Sequence, residues 1–273
     1  MAAGGVLINA NTLSISDETI FMTSLGRKLQ TKPGKQKHLW LDELSTKEAA
    51  EAAASGTVVI FPFGSVEEHG EHLPLCTDSI QSEYIAIEVA KKTGCLVAPP
   101  FRQGICNAGR NFPGTISVEF ETLRLVARDV LSELARHGFK RVIVLTGHAG
   151  SSHMTALKVA AQEVVRKDGS RIMVLSDYDF AYEMRGKLGV DERDWHTGDI
   201  ETSRVMAIRP DLLKGKGVKS FPQMPRFEVV PDPERFFPSG VNGDAKAASN
   251  EKGQKINEYV IQQVAKLVEE LRS

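Results

Sequence analysis

The sequence predicts an α/β fold whose mostly parallel sheet is covered by helices on both faces, and three observations predict it. Apolar runs of strand length, TVVIFPF (57–63), RVIVL (141–145) and RIMVL (171–175), show no polar alternation, as strands buried on both faces do. Segments with helical spacing of apolar residues lie between them, the order that builds crossover units and a parallel sheet. The chain has 273 residues, 41% of them apolar and 25% charged, enough to bury a substantial core within one domain.

The elements follow in order. The first forty residues are polar and mixed, with Lys32-Pro33-Gly34-Lys35 as a loop, and are expected to form an arm or an oligomer contact. Ser45-x-x-Glu48 reads as a capping box, in which serine and glutamate each satisfy a free backbone N–H. The alanine-rich run to Ala54 continues that helix, and Gly56 stops it. After the 57–63 strand, residues 80–92 have helical spacing and end at Gly94, a good C-terminal cap. A short strand over 95–98 is stopped by Pro99-Pro100. Leu123, Val126, Val130, Leu131 and Leu134 then share one face of a helix ending near Gly138. Strand 141–145 leads to a helix capped by Ser151 and running through Arg166, and strand 171–175 follows. Residues 210–242, rich in proline and glycine with scattered aromatics, are expected to form loops, a lid or an oligomer contact. Ile256, Val260, Val264, Leu267 and Leu271 make one face of a C-terminal helix. With no internal repeat and no low-complexity linker, residues 1–273 read as a single domain.

Composition narrows the function classes. Acidic and basic side chains nearly cancel, leaving a formal charge of −1, and no basic stripe marks a nucleic-acid partner. No apolar run reaches the roughly 20 residues that a membrane helix needs, and residues 1–13 lack the pattern of a signal peptide. Cys76, Cys95 and Cys106 form no CxxC pair and suit a reducing compartment. The cytoplasm is the expected location.

The chemistry concentrates after the first strand. Residues 64–78 hold Glu67, Glu68, His69, Glu71, His72 and Asp78, read as a loop at the C-terminal end of a parallel strand, the edge where open α/β sheets bind ligands. Strand 141–145 leads to Gly147-His148 at the same edge. Trp195-His196-Thr197-Gly198-Asp199-Ile200-Glu201 adds a third loop with histidine and carboxylate. Imidazole and carboxylate donors without thiolate suit Zn²⁺, Mn²⁺ or Fe²⁺ in an open catalytic site. Two such ions roughly 3.5–4 Å apart can share a carboxylate and hold a hydroxide between them. Glu68 and Glu71 read as surface carboxylates, and His72 as a residue that orients the loop by hydrogen bonding. His153 reads as structural, Asp177 and Asp179 as residues of a solvated turn, and Cys106 as a small buried or half-buried residue.

Gly64-Ser-x-Glu67-x-His69-Gly-x-His72-Leu-Pro-x-x-Thr-Asp78, then Phe112-Pro-Gly-Thr115, Gly147-His148 and His196-x-Gly-x-x-Glu201-Thr-Ser203 together resemble the creatininase (creatinine amidohydrolase) family. The motifs run in family order over about 58–203. The resemblance implies a three-layer α/β/α sandwich, a homo-oligomer that is commonly a hexamer, and two divalent ions per subunit. It implies that Glu67 and His148 bind one ion, His69 the other, and that Asp78 bridges both. His196 matches the family's catalytic histidine, and Glu201 the acidic residue after it. Creatininase itself has a metal-binding glutamate where this chain has Gly150, so Glu201 is expected to complete the second ion or to orient His196. Many members carry a histidine where this chain has Gly109. Arg110 and Asn111 beside it, with Trp195, are the expected substrate contacts, and the exchange hints at a more polar or anionic substrate.

The reaction so implied is hydrolysis of a small cyclic amide or formamide by the shared hydroxide, with His196 giving a proton to the departing group. Ring-opening cleavage of a carbon–carbon bond in a cyclic polyol-derived diketone is the alternative. A family-shaped protein that binds a small molecule without turning it over is a second.

Overall fold

The computed structural model describes residues 39–273; the arm expected over the first forty residues falls outside them, apart from Leu39 and Trp40. Helix α1, Thr46–Ala54, opens with the capping box: Glu48 N–H donates to Ser45 Oγ at 3.3 Å, and Ser45 N–H donates to the Glu48 carboxylate at 2.9 Å. The apolar runs become strands β1 (Val59–Phe63), β2 (Leu96–Val97), β3 (Arg141–Thr146) and β4 (Arg171–Ser176). All pair in parallel, in the order β2-β1-β3-β4, with Val59 opposite Val142 and Phe63 opposite Thr146.

Residues of one strand alternate between two cores, because successive side chains leave a strand on opposite faces. Val59, Phe61 and Phe63 share one core with Val142 and Val144. That core is closed by α3 (Phe120–Arg136) and α4 (Ser151–Asp168) through Leu123, Leu131 and Leu157. Ile60, Ile143 and Leu145 face the other core. Ile85 and Val89 of α2 (Thr77–Thr93) and Ile256, Val260 and Val264 of α8 (Asn250–Arg272) close it. The result is a three-layer α/β/α sandwich, as the apolar strands predict.

Local boundaries depart from the sequence reading in informative places. Helix α2 begins at Thr77, three residues early, so Asp78 belongs to its first turn and not to a loop. Ser151 is the first residue of α4 and not its cap; Gly150 takes that position with no side-chain bond. Two short helices, α5 (Tyr178–Ala181) and α6 (Arg185–Leu188), follow β4, and Asp199–Ile208 forms a further helix, α7, where a loop was expected. Residues 210–242 are largely irregular, with 3-10 turns at Pro210–Leu212 and Pro233–Phe236. Strand β5 (Lys219–Ser220), within that stretch, pairs antiparallel with β6 (Gly243–Asp244) just beyond it.

From β1 the chain crosses to β2 on one side and then to β3 on the other. The sheet therefore has its switch point between β1 and β3, and a crevice opens outside the carboxyl ends of strands at such a point. Residues that follow β1 and β3 are the ones that meet there.

Candidate metal and substrate site

Asp78 occupies the centre of that crevice. Its Oδ1 lies 3.2 Å from His69 Nε2, and its Oδ2 lies 3.0 Å from His148 Nδ1. Glu67 Oε2 reaches the same His148 nitrogen at 3.1 Å, and Glu201 Oε2 stands 3.6 Å from His69 Nε2. All five side chains are buried. Segments from β1, α2, β3 and α7 thus converge on one carboxylate, whose two oxygens face two different imidazoles.

The opposite ring nitrogens fix the tautomers. His148 Nε2 donates to the Ile105 carbonyl at 3.0 Å, and His69 Nδ1 donates to the Glu67 carbonyl at 3.1 Å. Each ring therefore spends its N–H on a backbone oxygen, the arrangement that orients histidines as ligands. The remaining lone pairs of the neutral rings point at carboxylate oxygens, and two acceptors face each other stably only with a cation or a proton between them. Burial disfavours charge on both rings. Even so, Asp78 and Glu201 hold His69 up to about 10, and Glu67 and Asp78 hold His148 well above the ordinary imidazole range. Burial likewise opposes ionisation of Asp78, which His69 and His148 nevertheless keep well below the usual carboxylate range. A divalent cation satisfies the same demand for positive charge without the protons. The donor set therefore fits divalent ions on both sides of Asp78.

Backbone support is dense. His153 is fully buried beside His148, with burial pushing it well below the ordinary histidine range. As a neutral ring it accepts the Ile105 N–H on Nδ1 at 3.4 Å, so its Nε2 donates to Thr146 Oγ1 at 3.1 Å. The Thr146 hydroxyl donates to the His148 carbonyl at 3.1 Å and accepts the His148 N–H at 3.0 Å. His72 meets Thr202 Oγ1 of α7 at 2.9 Å, next to Glu201. Thr197, the only described non-glycine residue with positive φ (59°), brings its N–H to Glu201 Oε2 at 2.6 Å.

Glu68 and Asp177 lie in surroundings other than those expected. Glu68 is not a surface carboxylate: it is buried, and its Oε1 lies 3.0 Å from His196 Nε2. Burial lowers the His196 pKa, but this hydrogen bond and nearby Glu201 raise it further, to about 9. Asp177 is not in a solvated turn. It is fully buried and paired with Arg204 of α7 at 2.6 Å, while Arg204 Nε donates to Asn257 of α8 at 2.9 Å. Sequence offered no signal for either residue, since each partner is far along the chain. Glu71 and Asp179 are exposed, as expected.

The cavity above the cluster encloses about 310 Å³ and is walled by Tyr178, Tyr182, Trp195, Pro222, Met224 and Phe237, with His196 and Asn242 as polar members. Pro222, Met224 and Phe237 come from the 210–242 segment. Arg110 turns instead to Glu119 at 3.0 Å, and Asn111 to Glu234 at 2.8 Å; neither lines the cavity. Of the three expected substrate contacts, only Trp195 is in the wall. Gly109 packs on the carboxylates: a Cβ there would lie 2.9 Å from Glu68 Cγ. A Cβ at Gly150 would lie 2.6 Å from His148 Nε2, so the ring itself fills the space that a glutamate at that position would need.

Known proteins resemble the chain in sequence and in fold. The family model described as creatinine amidohydrolase matches residues 42–268. Creatinine amidohydrolase of Pseudomonas putida is 33% identical over 256 residues, covering 86% of this chain and 97% of that one. A solved mutant creatininase of Zn-Zn type superposes with a TM-score of 0.78 at 30% identity, covering 86% of this chain and 98% of the other. A creatininase with Mn gives the same TM-score at 29% identity and the same coverage.

Proposed function

Because the chain belongs to the creatininase (creatinine amidohydrolase) family, we propose that it is a divalent-metal hydrolase that opens a small, neutral cyclic amide. The observation that carries this reading is the pair of imidazole lone pairs turned onto opposite oxygens of Asp78. Glu67, His148 and Asp78 would hold one ion, and His69, Glu201 and Asp78 the other. When bound, the ions supply Lewis-acid polarisation of a carbonyl and a water acidified toward neutral pH.

The chain's own residues supply the rest. Glu68 keeps a proton on His196 Nε2 through their 3.0 Å hydrogen bond, so the ring is charged and ready to give a proton to the departing nitrogen. Trp195, Tyr182 and Phe237 offer flat apolar faces to a planar ring. Arg185 braces two of them, its guanidinium 3.7 Å from the Tyr182 ring centre and 4.3 Å from that of Trp195. No lysine or arginine is among the wall residues, which favours a neutral substrate over the anionic one that Arg110 suggested. The same walls exclude water around the reacting bond and strengthen every charge inside.

The test is a panel of neutral cyclic amides set against cyclic diketones, run with metal per subunit counted before and after chelation. Turnover of an amide that is lost on chelation and restored by Zn²⁺ or Mn²⁺ supports the reading. Metal-independent turnover, or turnover of diketones alone, overturns it.

A further inference from the structure

Cys106 lies in the loop between β2 and α3 and is fully buried. Its Sγ, a Glu67 carboxylate oxygen and a His148 ring nitrogen all lie within 4.8 Å of one another. Donors around one tetrahedral ion stand roughly 3.3–3.8 Å apart, so the sulfur needs only a small adjustment to join the other two. The backbone fixes it there. Cys106 N–H donates to Ser117 Oγ at 3.0 Å. The preceding residue, Ile105, accepts from His148 Nε2 and donates to His153 Nδ1, so the segment carrying the thiol is bonded to the very imidazole that it accompanies. Ser65, whose hydroxyl donates to Asp78 Oδ2 at 2.6 Å, lies beside Gly104, two residues before the thiol. Sequence spacing gave a donor set free of sulfur because Cys106 stands far from every other candidate in the chain.

We propose that Cys106 is a sulfur donor to the ion on the Glu67–His148 side, which makes the two positions chemically unequal; this rests on the metal-centred reading above. As the ion enters, the S–H bond breaks, the sulfur keeps the electron pair and forms the metal bond, and the proton leaves to solvent. The Glu67–Cys106–His148 side then offers oxygen, sulfur and nitrogen, and the His69–Glu201 side only nitrogen and oxygen. A thiolate favours Zn²⁺, Co²⁺ or Cd²⁺ over Mn²⁺, so the full-length protein offered Zn²⁺ and Mn²⁺ together takes zinc on one side and tolerates manganese on the other.

The experiment is reconstitution of the full chain with Co²⁺, with cobalt counted by elemental analysis and the absorption spectrum recorded on the same sample. The wild type is expected to show a thiolate-to-cobalt charge-transfer band in the near ultraviolet. Cys106→Ser should lose that band while keeping cobalt, and should shift its Zn²⁺/Mn²⁺ uptake toward manganese. The Cys76→Ser/Cys95→Ser double variant, in which Cys106 is the one thiol left of three, should keep the band. That variant decides the matter even if Cys106→Ser fails to fold. Bound cobalt without the band in the wild type, or a band that survives in Cys106→Ser, overturns the sulfur ligand and leaves the metal-centred reading standing. A chain that takes up no cobalt fails at the count itself, and the metal-centred reading falls with the inference.

Discussion

Glu68 meets His196 across 128 positions of sequence, and that hydrogen bond, with nearby Glu201, favours the charged ring. Glu68→Gln preserves the hydrogen bond but removes the charge, so it should forfeit part of the roughly 10²–10⁴-fold that a positioned proton donor contributes. His196→Ala should forfeit all of it. Steady-state turnover measures both, and elemental analysis should find metal content nearly unchanged in each; loss of metal from His196→Ala would instead make that histidine a ligand. Gly150 tests the opposite constraint. Gly150→Ala places a methyl against His148 Nε2 and should push the ring off the Ile105 carbonyl, with one ion per subunit lost by elemental analysis. Retention of two ions would show that His148 does not depend on that backbone bond. Glu67, His69, Asp78, His148 and Glu201 stand in three motifs of the sequence, and the family resemblance is what marked them as one set. Glu68, Asp177 and Cys106 carried no such mark, since their neighbours in space are remote in the chain.

Helices and strands were readable wherever one face or both faces were apolar, and unreadable where burial was polar. Helix α7 is the clearest case. Asp199, Ile200, Glu201, Thr202, Ser203, Arg204 and Val205 are all buried, so no apolar stripe distinguishes it from a loop. What holds it is charge: Arg204 ties α7 to Asp177 after β4 and to Asn257 on α8. Arg204→Met leaves a buried carboxylate without its partner and should cost about 3–5 kcal/mol, read as a lower denaturant midpoint. The double variant Arg204→Met/Asp177→Leu removes both charges and should recover much of that loss; no recovery would locate the cost in packing. The capping box on α1 is the contrasting exposed case. Ser45→Ala should cost only about 1 kcal/mol by thermal unfolding, with turnover unaffected.

For the molecule as a whole, the sheet's switch point decides where function sits, and the apolar strands announced the sheet without giving its order. The order is set by which strands pair, β1 with both β2 and β3, and those partners are far apart in the sequence. The site that results is acidic, buried and assembled from four segments, so cation binding and folding are linked. Thermal unfolding with increasing Zn²⁺ should therefore show a midpoint that climbs with free metal, following RT ln(1 + [L]/Kd), and a chelated sample should sit lowest. A midpoint indifferent to metal would disconnect the cluster from any ion.

Asp78 touches one imidazole from its own segment and another 70 positions away. An ion held on the His148 side would act as a removable cross-link, closing a loop that a covalent bridge of that span would stabilise by about 4 kcal/mol through the unfolded chain's lost freedom. A disulfide exerts that constraint only where the compartment is oxidising. Here the same tether would be set by metal supply, so the durability of the fold and the readiness of its chemistry would rise and fall together.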